Sequence, residues 1–296
     1  MFRILIEVPL HITGIWDIVW KNDEYTSGSI GAGLVIDPPA FITIEEYCRD
    51  VTIINGSLIK LRHQEQTKRL LNVNESIRVT CTSAGTLGKG YGLSAALSIA
   101  YAVGYTYVKY GRLDTDLSFK LAHLIEVKNL TGLGDVIAEV TGGDIEIRTK
   151  PGAPNIGTVE KIILKERVPI LVVELERSLT TSIMLREYFY RIKLASREVK
   201  ALLEHRDLDT FLEVSNRFSR QVGFLTNDIE SLLNKIDKFV RGYFVKKQLL
   251  VVVPEKSSIE DVYEYLKNTF GVCKIFYTRT CGVKVLEIKK KNVELS

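Results

Sequence analysis

A glycine-rich loop in the first third of this 296-residue chain is the feature that most constrains its fold. Gly88, Gly90 and Gly92 stand at alternate positions, Lys89 lies among them, and Ser94 opens a long apolar run. Glycines permit the tight turns that bring backbone N–H groups against an anion, and a helix N-terminus adds its positive dipole end. We therefore predict an anion cradle, with Lys89 as a point charge and the Ser94 hydroxyl placed for a phosphate-bound Mg²⁺. The alternative is a strand-to-helix turn that binds nothing.

The loop differs from the two most familiar nucleotide-binding loops. A Walker A loop has Ser or Thr directly after Gly-Lys, whereas Gly90 follows Lys89 here. The Rossmann fingerprint is also incomplete, because its third glycine is missing at the required spacing. The loop therefore predicts phosphate binding by a different motif.

Composition narrows the class of protein further. The chain is 46% hydrophobic and 26% charged, which is typical of a globular protein, and no apolar run is long enough to span a bilayer. A net charge of +4 is too small to favour nucleic acid as a partner. The N-terminus reaches Glu7 and Pro9 too early for a signal-peptide core, so we expect a cytoplasmic protein with no membrane partner.

Hydrophobic periodicity predicts an irregular alternation of strands and helices in the first half. The predicted strands there are 2–8, 33–37, 41–47, 77–82 and 144–148, with a hairpin at Asn55-Gly56 and a turn at Pro38-Pro39. The predicted helices are 94–110 and 115–128, the second capped by Asp114.

The second half has a different pattern. It predicts strands at 159–165 and 168–175, then helices at 182–203, 207–221 and 228–240. A closing strand–helix–strand–strand order follows at 249–253, 258–269, 274–279 and 283–288. This order favours an α+β fold with helices on one face of an antiparallel sheet, and we place a domain boundary near residue 165.

The loop resembles the nucleotide-binding motif of the GHMP kinases, which include galactokinase, homoserine kinase and mevalonate kinase. The similar residues are Gly88-x-Gly90-x-Gly92-x-Ser94-Ala95, although the usual proline before the loop is absent and Leu93 replaces the first of two serines. The resemblance implies that the loop wraps the phosphates of ATP. The residues it assigns to the nucleotide are Gly88, Lys89, Gly90, Tyr91, Gly92, Leu93, Ser94 and Ala95.

Three further segments, 8–14, 27–34 and 130–136, are similar to stretches of archaeal pantoate kinases. The resemblance implies a two-domain fold, with a ribosomal S5-domain-2-like N-terminal domain at 1–165 and a ferredoxin-like C-terminal domain at 166–296. It is much weaker after residue 165. The third glycine motif of the superfamily is missing, since the segment around 240–243 keeps one glycine, and no role can be assigned to it.

Two carboxylates match the catalytic positions of the family. Asp135 follows Thr-Gly-Leu-Gly at a predicted helix start, where its side chain can face a cleft. The resemblance makes it the aspartate that orients or deprotonates the acceptor hydroxyl, whereas the residues alone also allow a helix N-cap. The resemblance also implies that Glu126 and Ser94 hold Mg²⁺. An exposed helix glutamate near Lys128 is the alternative for Glu126.

The predicted substrate anchors are Arg148, His11, Ser27 and Ser29. Arg148 ends a strand whose alternation puts it on one face with Glu146, and a guanidinium can hold a carboxylate through two hydrogen bonds. By resemblance, Arg148 clamps pantoate and His11 contacts it. A solvated strand arginine and a structural histidine are the alternatives. Ser27 and Ser29 flank a glycine and could donate hydrogen bonds to substrate.

Together with these residues, the resemblance implies a kinase that uses ATP and Mg²⁺ to phosphorylate the 4-hydroxyl of (R)-pantoate, a step towards coenzyme A. Homoserine or a mevalonate-type alcohol as acceptor, and a non-catalytic nucleotide or metabolite sensor, are the alternatives. An RNA-binding module is disfavoured by the small net charge. By analogy we expect a homodimer.

Overall fold

The computed structural model describes residues 1–176 and 181–290. The strands of this part of the chain join in one sheet. They are β1 Phe2–Val19, β2 Gly28–Tyr47, β3 Val51–Ile54, β4 Ser57–Ile59, β5 Ser76–Thr82, β6 Ile145–Lys150, β7 Thr158–Ile162, β8 Pro169–Glu174, β9 Val240–Lys246, β10 Leu249–Pro254, β11 Cys273–Thr278 and β12 Lys284–Lys290.

The helices of the described residues are mostly short, with α2, α3 and α8 as the longer exceptions. They are α1 Arg62–Leu71, α2 Leu93–Tyr110, α3 Thr115–Asn129, α4 Asp135–Thr141, α5 Thr181–Glu187, α6 Phe189–Ala195, α7 Val199–Glu204, α8 Leu208–Val222, α9 Asn227–Leu233 and α10 Ile259–Phe270. None of the helices described is long and apolar enough to cross a membrane.

The sheet runs in the order β4-β3-β5-β2-β11-β8-β10-β9, with β1 and β6 also paired to β2. Its pairs are antiparallel apart from β3 with β5. β12 returns to pair with β1, so the last strand lies against the first one. Both halves of the chain thus share one sheet. The division at residue 165 falls between β7 and β8 and stays a prediction.

β1 and β2 form the spine of the molecule and are much longer than predicted. β1 continues through Pro9 to Val19, because apolar side chains keep alternating into the core well beyond residue 8. The predicted turn at Pro38-Pro39 is wrong, since β2 passes through both prolines without reversing. The prolines lie at an irregularity of the β1–β2 pairing, between Val8↔Ala40 and Leu10↔Ile36. Proline has no backbone N–H to donate, and at this irregularity no hydrogen bond between the strands requires one.

Helix α2 is buried almost all around, as its apolar sequence predicts. It contacts α1 and α3 on one side and β1, β2 and β5 on the other. α4 also packs on β1 and contacts α2. The N-termini of these two helices carry the glycine-rich loop and Asp135, and β1 lies beneath both.

Predicted and observed elements differ most in the middle of the second half. The single helix predicted at 182–203 is three short helices, α5, α6 and α7, with a 3₁₀ turn before the last. The helix predicted at 228–240 ends at Leu233, and β9 follows where no strand was expected. The closing strand–helix–strand–strand order is confirmed by β10, α10, β11 and β12.

Candidate active site

A cavity opens where the glycine-rich loop, the 131–135 segment, β1 and the β9–β10 turn meet. Its polar lining includes Thr13, Ser29, Ser94, Asp135 and a lysine pair from the turn. Its apolar lining includes Trp16, Leu133 and Met184. Both halves of the chain therefore contribute to one site.

The glycine-rich loop has the backbone that the sequence predicts. Gly88, Gly90 and Gly92 have φ angles of 82°, 125° and 76°, a region that favours glycine. Gly92 is the N-cap of α2, so the free N–H groups of the helix start directly behind the loop. The loop thus combines backbone donors with a helix N-terminus, which is the arrangement that binds phosphates.

Glu126 is buried, which contradicts the alternative of an exposed helix glutamate. Its carboxylate accepts hydrogen bonds from Ser94 Oγ at 3.1 Å and Ser98 Oγ at 2.7 Å, and His63 Nε2 lies 3.2 Å away. The paired oxygens of Ser94 and Glu126 are hard ligands of the kind Mg²⁺ prefers. No cluster of three or more metal-ligating side chains occurs within residues 1–176 and 181–290. These residues fit a Mg²⁺ ion that takes few protein ligands and completes its shell with phosphate and water.

Asp135 begins α4 and faces the cavity, so it is not the N-cap, which is Gly134. Its Oδ1 accepts a hydrogen bond from His11 Nδ1 at 2.7 Å, and Lys246 Nζ lies 3.8 Å away. Burial alone would raise the pKa of Asp135. The nearby cation of Lys246 and the hydrogen bond from His11 outweigh burial and hold the pKa well below its usual range. Asp135 is therefore ionised throughout the physiological range.

Gly132 explains how two carboxylates come so close together. A β-carbon at this residue would stand 2.8 Å from Glu126 Oε2 and 2.9 Å from Asp135 Oδ2. Any side chain here would push into both groups. Gly132 thus leaves the space that the carboxylates of Glu126 and Asp135 occupy.

His11 is fully buried between two carboxylates and does not line the cavity formed by the described residues. Beyond its bond to Asp135, its Nε2 lies 2.9 Å from Glu146 Oε1, and Glu146 also binds Arg148. A histidine with a carboxylate on each ring nitrogen donates to both only as the imidazolium. Asp135, His11, Glu146 and Arg148 thus form one buried chain of charged hydrogen bonds.

Arg148 is 1% exposed, which contradicts the alternative of a solvated strand arginine. Its Nη1 binds Glu146, whereas Nε and Nη2 have no partner among the described residues. Nε and Nη2 share one edge of the guanidinium, and that edge pairs with a carboxylate through two hydrogen bonds. A β-carbon at Gly134 would stand 2.6 Å from Nε and 2.4 Å from Ser29 Oγ. Gly134 and Ser29 line the cavity and Arg148 does not, so any side chain at Gly134 would collide with the guanidinium directly behind the cavity lining.

The two predicted serines differ in position. Ser29 is buried and lines the cavity. Ser27 instead donates to the carbonyl oxygens of Lys21 and Asp23 and does not line the cavity. The structure brings Ser29 together with Asp135 and leaves Ser27 in a neighbouring turn.

Sequence reasoning missed Lys246 and Lys247, which lie at the β9–β10 turn. Lys246 Nζ donates to Gly90 O at 3.1 Å and to Thr13 Oγ1 at 3.3 Å. Lys247 Nζ donates to Thr181 Oγ1 at 2.7 Å, and Lys89 from the loop donates to Gln248 at 2.9 Å. The sequence signal that could have located these lysines is a short polar run between two segments that contain β-branched residues, because such a run predicts a hairpin.

A second cavity adjoins the first on the far side of the glycine-rich loop. Its charged lining within the described residues consists of cations, with Lys89 and Lys247 present and no carboxylate. Gly88, Ser94, Thr131, Thr181 and Lys247 line both cavities and so mark the passage between them. A polyanion in the second cavity would meet a molecule in the first at this passage.

Glu139 is a buried acid one helical turn after Asp135, and the sequence did not single out a role for it. Neither carboxyl oxygen has a partner among the described residues. Burial, together with the charges of Asp135 and Glu126, raises the pKa of Glu139 well above its usual range. Burial therefore favours the protonated, neutral form of this side chain, and Gly92 lies against it.

The fold is shared with solved structures that are remote in sequence. A phosphotransferase related to the CoA biosynthesis pathway has a TM-score of 0.84 at 22% identity, covering 96% of this chain and 98% of that one. Homoserine kinase from Cytophaga hutchinsonii has a TM-score of 0.65 at 13% identity, covering 96% and 97%. MDDEF in complex with MVAPP, AMPPCP and magnesium has a TM-score of 0.66 at 13% identity, covering 97% and 100%. The chain therefore shares the fold of these solved structures.

In its amino-acid sequence, the chain is similar to pantoate kinases. It is 27% identical to the pantoate kinase of Methanocaldococcus jannaschii over 277 residues, which cover 91% of this chain and 99% of the relative. It is also 27% identical to the pantoate kinase of Thermococcus kodakarensis over 253 residues, covering 79% and 81%. No protein-family model matches the chain.

Proposed function

We propose that this protein transfers the γ-phosphoryl group of ATP to the 4-hydroxyl of (R)-pantoate, giving ADP and 4-phosphopantoate. The observation that carries this proposal is the unpaired Nε–Nη2 edge of Arg148, whose guanidinium lies against Gly134 of the cavity that Asp135 lines. A buried cation with an open bidentate edge matches a carboxylate. Similarity to pantoate kinases over most of the chain supports the same acceptor.

The cavity matches the remaining parts of pantoate. The two methyl groups of pantoate would contact the apolar side chains of Trp16, Leu133 and Met184, and its 2-hydroxyl would contact Ser29. Homoserine carries an ammonium group. The anionic cavity-lining side chain among the described residues is Asp135, which already has Lys246 beside it. The acceptor is therefore better matched by a hydroxy acid than by an amino acid.

The proposed mechanism places ATP in the second cavity with its phosphates on the glycine-rich loop. Mg²⁺, held by Ser94 and Glu126, would neutralise charge on the phosphates. The bond between the γ-phosphorus and the bridging oxygen breaks, and a bond from phosphorus to the 4-oxygen of pantoate forms. The hydroxyl donates a hydrogen bond to the Asp135 carboxylate, which receives the proton late in the transfer and passes it to solvent. The depressed pKa of Asp135 makes it a weak base, so orientation of the hydroxyl is its main contribution.

In this mechanism His11 acts through Asp135 and does not touch the substrate. Its two ring nitrogens hydrogen-bond to Asp135 on one side and Glu146 on the other, which fixes the aspartate against the cavity. Glu146 in turn holds Arg148, so one buried chain of hydrogen bonds sets the geometry of both the reacting and the anchoring residue. We also propose a cytoplasmic homodimer, which light scattering of the purified protein and cell fractionation would test.

A coupled ADP-release assay with ATP and Mg²⁺ tests the proposal against pantoate, homoserine and mevalonate. We expect turnover on pantoate alone, a loss of turnover in Asp135→Ala, and a raised pantoate KM in Arg148→Met. Asp116→Asn is the matched control, because this exposed aspartate pairs with Lys120 and lines neither cavity. Turnover on another acceptor would overturn the pantoate assignment. Nucleotide binding without turnover on any acceptor would favour a sensor.

A further inference from the structure

Lys247 is a buried cation that lacks an anion. It is 4% exposed, and its ammonium donates to a neutral hydroxyl, Thr181 Oγ1. No carboxylate lies within salt-bridge distance of it in residues 1–176 and 181–290, whereas Lys246 beside it has Asp135. A buried charge is costly unless it is paired, so an unpaired one points to an anionic ligand.

The position of Lys247 identifies which anion it meets. It is the cationic member of the described residues that line both cavities, and Ser94 is another member of the same set. A phosphoryl group that moves from a nucleotide in one cavity to an acceptor in the other must cross this passage. Lys247 therefore lines the passage together with Ser94, the proposed Mg²⁺ ligand, and comes from the opposite half of the chain.

The local backbone holds the side chain in this place. Lys247 and Gln248 form the two-residue turn between β9 and β10, and Lys247 has a φ of 56°, as the first position of such a turn requires. Gln248 accepts a hydrogen bond from Lys89 of the glycine-rich loop, and Lys246 donates to Gly90 of that loop. The turn is thus tied to the loop on both sides of Lys247. The segment where the third glycine motif is missing supplies side-chain cations to the site.

We infer that Lys247 binds the transferring γ-phosphoryl group and stabilises its charge in the transition state. The inference rests on phosphoryl transfer in the proposed function, and it is independent of which alcohol accepts the group. In the step itself, the ammonium keeps its protons and donates hydrogen bonds to the non-bridging oxygens of the phosphoryl group. It forms and breaks no covalent bond.

Lys247→Met and Lys247→Arg test the inference, with Lys235→Met as the control, since this exposed lysine lines neither cavity. The measurements are kcat, the acceptor KM, and the dissociation constant of AMPPCP–Mg²⁺. We expect kcat to fall about 100-fold in Lys247→Met, as for other lost transition-state donors, while the acceptor KM and AMPPCP affinity change less than about threefold. Lys247→Arg should recover at least about a tenth of the wild-type kcat, because the charge returns.

Two results would overturn the inference: a kcat in Lys247→Met within about threefold of wild type, or a loss confined to AMPPCP affinity, which would make Lys247 a ground-state nucleotide ligand. If Lys247→Met does not fold, the ratio of kcat in Lys247→Arg to kcat in the wild type tests the inference instead. The proposed function fails separately, when wild-type protein does not phosphorylate pantoate. In that case, the same variants are compared on slow ATP hydrolysis, with water as the acceptor.

Discussion

Replacing His11 with leucine tests whether this residue positions Asp135 or binds the substrate. Leucine fills a similar volume but removes two hydrogen bonds, one of 2.7 Å to Asp135 and one of 2.9 Å to Glu146. Hydrogen bonds to charged groups contribute about 1.5–3 kcal/mol each, so the two together are worth about 3–6 kcal/mol. Breaking a buried ion pair by removing one partner costs about 3–5 kcal/mol, which agrees.

This loss should lower the midpoint of thermal unfolding by about 6–24 °C, since about 2–4 °C is lost per kcal/mol in large domains. Activity should fall as well, because Asp135 would keep Lys246 at 3.8 Å as its cation and lose the donor that sets its orientation. A misplacement of about 1 Å at a reacting group can cost about 100-fold in rate. The pantoate KM should change little, because His11 does not line the cavity.

Circular dichroism would measure the unfolding midpoint, and steady-state kinetics would be recorded well below it. His123→Leu is the matched control, since this buried histidine bonds the carbonyl of Ser27 at 3.0 Å and takes no part in the buried chain. It should lose stability and keep its kcat. A His11→Leu variant with an unchanged kcat and a pantoate KM raised tenfold would refute the positioning argument and make His11 a substrate ligand.

Three further outcomes are expected. Gly92→Ala should weaken AMPPCP binding more than Gly88→Ala, and calorimetric titration would compare the two variants. Both glycines have a positive φ, but a β-carbon at Gly92 would meet Glu139 Oε1, whereas a β-carbon at Gly88 would stand in open space. Glu139→Gln should stabilise the protein at pH 7 and not near pH 4. Because the pKa of Glu139 is raised in the folded state, the free energy of unfolding falls by about 1.4 kcal/mol for each pH unit above 4.5, until the pH reaches that raised pKa. Urea unfolding at both pH values would measure this change. Burial and the neighbouring charge of Lys246 lower the pKa of Lys247 to about 8, so kcat should fall as the pH rises through 8, and Lys247→Arg should move that fall to higher pH in a pH–rate profile.

The glycine-rich loop could be predicted from sequence because its conformation is a local property. Three alternate glycines allow positive φ angles whatever the rest of the chain does, and the observed angles confirm that use. The same holds for Asp114, whose side chain caps α3 by accepting a hydrogen bond from Leu117 N. Signals of this kind depend on neighbours in sequence.

The surroundings of Arg148 could be predicted only in part. Alternation along β6 correctly placed Glu146 and Arg148 on one face, away from Ile145 and Ile147. It could not show that both faces are buried, because β6 lies between β2 and β7 with α4 packed against it. That burial changes a solvated arginine into one with an unpaired edge, and it depends on contacts that are distant in sequence.

β9 illustrates the limit of local reasoning most clearly. Residues 234–246 mix charged and apolar side chains, and their short periodicity did not separate a helix from a strand. The strand is fixed by pairing with β10, whose other neighbour is β8. Strand preference depends strongly on such partners, so the lysines of the turn could not be placed near Asp135 from sequence alone.

The charge state of Asp135 connects the two halves of the chain. Its first-half environment supplies burial, which raises the pKa, while Lys246 from the second half supplies the largest opposing effect. If the β9–β10 turn moved away from the glycine-rich loop, Asp135 would lose that cation and its carboxylate would be easier to protonate. The passage between the cavities would lose Lys247 in the same movement. In the proposed mechanism, the low pKa of Asp135 and the position of Lys247 therefore both depend on the two hydrogen bonds between this region and the loop, Lys246 to Gly90 and Lys89 to Gln248.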